Sequence, residues 1–133
     1  MIDDWSGTDV QASGFVPRED DVRENLEVLG LGDRVELRRG SSAVIPLPDR
    51  LDLAVLDSCH DAAHVQTELE RMRAAGCGCF LVHDVVSRSG PASAIEGFLS
   101  AQEPSWSTIK AQFNAGLALL MDPQSPLLAR AKP

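Results

Sequence analysis

The segment Leu51–Val85 reads LDLAVLDSCHDAAHVQTELERMRAAGCGCFLVHDV and constrains the fold more than any other part of the chain. Two apolar runs each end in acidic and imidazole side chains. The first closes on Asp57-Ser58-Cys59-His60 and the second on His83-Asp84. Between them Val65, Leu69 and Met72 recur at the spacing of one helical face, with Asp61 placed to cap the helix start and Gly76 to end it. A strand, a helix and a second strand in this order form a right-handed parallel unit. Both strands then deliver their carboxyl ends to the same sheet edge, where ligands bind in open α/β folds. Asp57, His60, His83 and Asp84 are therefore expected in one small region.

The flanking sequence extends the pattern. Pro17 is placed to open a helix whose apolar face is Val22, Leu26 and Leu29, closed by Gly30. Arg34–Arg39 alternates as a half-exposed strand would, and Gly40-Ser41-Ser42 makes a turn. Pro46 and Pro48 keep the next stretch irregular. Leu51–Leu56 and Cys79–Val82 read as buried strands, and Pro91–Ala101 as a helix with Ile95, Phe98 and Leu99 inward. Trp106–Phe113 and Leu117–Met121, joined by Asn114-Ala115-Gly116, read as an antiparallel hairpin. Helices alternating with buried strands imply an α/β fold with a mainly parallel sheet, and the hairpin adds an antiparallel strand at one side. Residues 1–122 form the expected domain, and the proline-rich tail 123–133 is expected to fray.

Bulk properties narrow the classes of partner. With 12 basic against 20 acidic residues the net charge is -8, which repels phosphate backbones and anionic lipid. Nucleic acid and membranes are therefore not expected partners. The start, MIDDWSGTDV, lacks the basic and apolar regions of a secretory signal, and a cytoplasmic location is expected. The three cysteines, Cys59, Cys77 and Cys79, fit a reducing compartment better than a disulfide scaffold. Cys77-Gly78-Cys79 is too closely spaced for the usual zinc or redox pairs and reads as core.

The order of these elements resembles class I S-adenosylmethionine-dependent methyltransferases. It is most similar to small-molecule O-methyltransferases with D-x-W near the second strand, D-G-x-H after the fourth and H-D after the fifth. The matching residues are Asp3-Asp4-Trp5, Asp57-Ser58-Cys59-His60 and His83-Asp84, with Asn114-Ala115-Gly116-Leu117 resembling the approach to the last strand. The resemblance implies a Rossmann-like methyltransferase sheet of strand order 3-2-1-4-5-7-6. It implies S-adenosylmethionine as methyl donor, a small-molecule hydroxyl as acceptor, and Mg2+ or Mn2+ held by Asp57, His83 and Asp84. The family's lysine base lies three positions after the first metal ligand, and the same offset gives His60 here. Asp3 or Asp4 would hold the ribose hydroxyls, Trp5 would pack near the adenosine, and Ser41 and Ser42 would touch the adenine.

The chain departs from the family in one respect. It contains no glycine-rich loop of the kind that follows the family's first strand. The resemblance therefore implies an N-terminally truncated domain, with little activity unless another polypeptide supplies the central strand. A homodimer formed by strand exchange is the expected assembly. Each residue also has a plainer role: Asp57 as a turn cap, His60 as a solvated loop residue, His83-Asp84 as a structural pair, and His64 on the helix surface. A non-catalytic strand-exchanging module and a metal-dependent hydrolase using the same Asp/His cluster are the alternative functions.

Overall fold

A computed structural model of the chain describes residues 1–3, 18–102, 105–113 and 115–127. Asp4, Trp5, Pro17 and Asn114 lie outside the described residues. The chain divides into two compact units, Met1–Ile45 and Pro46–Pro133. The division falls where Pro46 and Pro48 interrupt regular structure.

In the first unit, β1 (Ile2–Asp3) pairs in parallel with β2 (Arg38–Arg39), Asp3 standing opposite Arg39. Helix α1 (Glu19–Val28) carries Glu19, Asp20 and Asp21 in its first turn, where negative charge favours the helix dipole. It closes with Leu31 N donating to Leu26 O at 2.8 Å and Gly30 N donating to Glu27 O at 2.9 Å. The strand expected over Arg34–Arg39 shortens to Arg38–Arg39, because Gly32–Arg34 forms a tight 3-10 turn. Local hydrogen bonding there, Arg34 N to Leu31 O at 2.9 Å, takes the place of a ladder.

The second unit is a four-stranded sheet of order β3-β4-β6-β5, formed by Ala54–Leu56, Cys79–His83, Leu117–Met121 and Ser107–Ala111 respectively. Strands β3 and β4 are parallel, whereas β6 runs antiparallel to both β4 and β5. The sheet is thus mixed rather than mainly parallel. The expected hairpin is present, but its second strand lies inside the sheet and its first lies at the edge. Composition explains this order. In LALLM, Ala118 and Leu120 are fully buried, whereas STIKA carries a lysine and exposes Ile109. Charged, partly polar strands tolerate an edge, where no neighbour must be packed.

Helices α2 (Ala62–Ala74) and α3 (Ser89–Ser100) pack on each other and on one sheet face. Val65, Leu69 and Met72 of α2 and Ile95 and Phe98 of α3 are buried with Leu56, Phe80, Val82 and Leu120. Phe80 stacks on Trp106 at 5.5 Å between centroids, and Phe98 meets both rings edge-on. Cys77 and Cys79 are buried free thiols of this core, and Cys59 is exposed. Burial pushes both buried thiols above their ordinary range. The strand expected to be buried over Leu51–Leu56 pairs only over Ala54–Leu56 and is half exposed, with Leu53 and Val55 open to solvent. Asp122 N donates to Gly78 O at 2.9 Å just before β4, and in the expected tail Ser125 N donates to Asp122 O at 2.9 Å and Ser125 is buried beside Gly78. Among the described residues, no helix is long and apolar enough to cross a membrane.

Candidate metal centre at the carboxyl edge of the sheet

The register of β3 and β4 builds the site. Leu56 pairs with Val82, so the chain leaves the ladder side by side at Asp57 and His83. The 57–60 loop then runs to Asp61, whose carboxylate caps α2 by accepting from His64 N at 3.0 Å. That cap fulfils the sequence expectation and fixes where the loop must end. On the other strand the chain turns sharply at Asp84, which has a φ of 61°. Aspartate is among the few side chains that tolerate this left-handed geometry, and such strain concentrates at functional positions.

Two glycines allow the loops to close together. At the start of α3, a Cβ on Gly90 would overlap the His60 carbonyl oxygen. In the hairpin turn, Gly116 has a φ of +92°, and a Cβ there would sit 2.8 Å from Val86 N. Ala115 O accepts from both Val86 N and Ser87 N at 3.0 Å, which pins the segment after Asp84 to the hairpin.

The four residues singled out from the sequence meet at this edge. His60 Nε2 lies 2.5 Å from Asp84 Oδ2, and Ser87 Oγ donates to Asp84 Oδ1 at 2.9 Å. His83 Nδ1 lies 3.2 Å from Asp57 Oδ1 and 3.4 Å from Asp84 Oδ1. Neither contact has the direction of a hydrogen bond, and this buried nitrogen is left without a partner. Ligand atoms of Asp57, His83 and Asp84 all lie within 4.8 Å of one another. Two carboxylates and an imidazole are a donor set suited to Mg2+ or Mn2+. An orphaned nitrogen between two carboxylate oxygens fits a cation better than it fits a finished hydrogen-bond network.

Electrostatics favour the ionised form of Asp84. Burial raises its carboxyl, but hydrogen bonds from His60 and Ser87 and the charges of His83 and His60 outweigh that effect. The group stays below its ordinary range. Asp84 is largely enclosed, whereas the Asp57 side chain is 61% exposed and leaves one side of the cluster open to solvent. A cavity of about 10 Å3 lies under the 57–60 loop, lined in part by Asp57, Ser58, His60 and His83. Its enclosed part is about the space of one water.

The residues expected to hold a donor nucleoside fall in the first unit. Asp3 ends β1, and Ser41 and Ser42 follow β2, so they leave the same edge of that parallel pair. Ser41 Oγ accepts from Ala43 N at 3.3 Å, which is turn chemistry. His64, expected on the helix surface, is partly buried, and its Nε2 lies 3.6 Å from Glu68 Oε1. Glu68 itself was not legible as a site residue, yet it is only 1% exposed and accepts from Ser58 Oγ at 2.7 Å. The available signal was an acidic residue on the apolar stripe of α2, three positions after Val65 and four before Met72.

Comparison with known proteins adds no assignment: no protein-family model matches the chain, and no curated protein matches it.

Proposed function

We propose that the chain is a Rossmann-like methyltransferase domain that transfers a methyl group from S-adenosylmethionine to the hydroxyl of a small molecule with help from a divalent cation. One observation carries this reading: the sheet order β3-β4-β6-β5 with an Asp/His cluster at the carboxyl ends of β3 and β4. It is the order that the resemblance implies for the family's fourth, fifth, seventh and sixth strands. The parallel pair of β1 and β2 fits that family's second and third strands in the same way.

Asp57, His83 and Asp84 would hold Mg2+ or Mn2+. When bound, such an ion polarises the acceptor hydroxyl and lowers its pKa. The two oxygens of Asp84 divide the work: Oδ1 faces His83 and Ser87, and Oδ2 faces His60. An ionised Asp84 requires the His60 proton on Nε2, so Nδ1 is the nitrogen with the basic lone pair. His60 would take the hydroxyl proton as the oxygen bonds to the methyl carbon and the carbon–sulfur bond breaks to release S-adenosylhomocysteine, and Asp84 would stabilise the imidazolium. Asp3, with Asp4 and Trp5, and the Ser41-Ser42 turn belong to the donor side of this reading. A homodimer through the short edge strand β3, on which Val55 is exposed, belongs to it as well.

Calorimetry with S-adenosylhomocysteine in the presence of Mg2+ tests the reading. Saturable binding at one site per chain is expected. Binding of Mn2+ without any binding of S-adenosylhomocysteine would contradict methyl transfer and favour a metal-dependent hydrolase.

A further inference from the structure

Glu68 presents an unusual combination of burial and chemistry. It occupies the core face of α2 between Val65, Leu69 and Met72, and only 1% of it is exposed. An apolar side chain would fill that place at lower cost, because a carboxylate loses its hydration there unless it is well bonded. Its Oε2 accepts from Ser58 Oγ at 2.7 Å, and its Oε1 faces His64 Nε2 at 3.6 Å. Ser58 directly follows Asp57 and lies two positions before His60. The 57–60 loop is fastened at its far end by the Asp61 cap and by His60 Nε2 against Asp84 Oδ2. At its near end Ser58 bonds to Glu68, and Asp57 Oδ1 lies 3.2 Å from His83 Nδ1.

We propose that Glu68 is a positioning residue, which through Ser58 fixes the loop that carries Asp57 and His60 and thereby sets the geometry of the cation centre. Its position inside α2 suits this role. The helix is rigid and capped, so an acceptor planted in its buried face cannot drift as a surface side chain would. The bond reaches the loop between its two functional residues, so one contact orients both. Glu68 acts on Asp57 and His60 through the loop. Partners of this kind, which orient the ligands of a metal, are worth about 10–100-fold in metal affinity.

The effect on the cation rests on the reading of Asp57, His83 and Asp84 as its ligands, and the test separates the two claims. Ser58→Ala removes the donor from a loop, and Glu68→Met removes the acceptor while filling its volume. Glu68→Gln keeps an acceptor oxygen toward Ser58. Three readouts are compared in the full chain: amide hydrogen exchange over residues 57–60, the imidazole NMR signals of His60 and His83, and Mn2+ affinity by electron paramagnetic resonance. In Ser58→Ala, exchange over 57–60 is expected to quicken about tenfold or more while α2 amides from 65 to 72 keep their protection. The His60 and His83 ring signals shift, and Mn2+ affinity falls about tenfold. Glu68→Met reproduces these changes, and Glu68→Gln stays within about twofold of the original on every readout. Unchanged loop exchange and ring signals in Ser58→Ala would overturn the role of Glu68, whether or not Mn2+ binds. Should Glu68→Met fail to fold, the Ser58→Ala and Glu68→Gln results decide alone. Quickened loop exchange in a protein that never binds Mn2+ would support Glu68 and overturn the cation reading.

Discussion

Replacing Gly90 by alanine tests whether the site depends on the close approach of α3 to the 57–60 loop. The added Cβ would overlap the His60 carbonyl oxygen and sit 2.9 Å from its carbon and 3.1 Å from Ala62 N. All three neighbours are backbone atoms, so no side-chain rotation relieves the clash. Ordinary contact requires the loop or the helix to retreat by about 1 Å or more. Such a shift stretches the 2.5 Å contact between His60 Nε2 and Asp84 Oδ2. Overpacking of this kind costs about 1–3 kcal/mol, and loss of a hydrogen bond to a charged group adds about 1.5–3 kcal/mol. Half of that sum, about 2 kcal/mol at mid-range, lowers Tm by about 8–16 °C in a unit of this size. Gly97→Ala in the same helix is the control. Its Cβ would meet only the flexible Gln66 side chain at 3.4 Å. There the substitution is expected to stabilise the helix by about 0.5–1 kcal/mol. Urea and thermal melts followed by circular dichroism measure both. Equal shifts in the two variants, or a Gly90→Ala protein that melts like the original, would refute the reasoning.

Two further predictions follow from the same geometry. A thiol reagent added to the native protein should modify Cys59 rapidly and leave Cys77 and Cys79 slow, whereas all three react in denaturant; fast reaction of more than one thiol in the native state contradicts the placement of the pair in the core. Asp61→Ala should cost about 1 kcal/mol in urea melts by removing the bond to His64 N, whereas Asp61→Asn should cost only a few tenths.

The part of the fold most legible in the sequence was the strand–helix–strand unit from Leu51 to Val85. Its periodicity was unbroken, its cap was Asp61, and its strands ended on polar residues that the parallel register then brought together. Shorter elements were less legible. Arg38–Arg39 pairs only because β1 lies beside it, and Gly32–Arg34 prefers a local turn to an extended ladder. The inner position of β6 depends on which hairpin strand has the more apolar face, a comparison between strands that no single window contains. Within the site, Asp57, His60, His83 and Asp84 were visible because acidic and imidazole side chains closed two apolar runs. The left-handed turn at Asp84 was hidden, because aspartate adopts it without a sequence mark as distinct as glycine. Glu68 was hidden by its context, because a charged residue on a helix is ordinarily assigned to the solvated face.

Crystals soaked in Mn2+ and measured at the manganese absorption edge give the most direct test of the cation centre. A single anomalous peak is expected roughly 2–2.5 Å from a carboxylate oxygen of Asp57, a carboxylate oxygen of Asp84 and Nδ1 of His83. A map with no peak among these three side chains, in crystals whose loops are otherwise ordered, would contradict it.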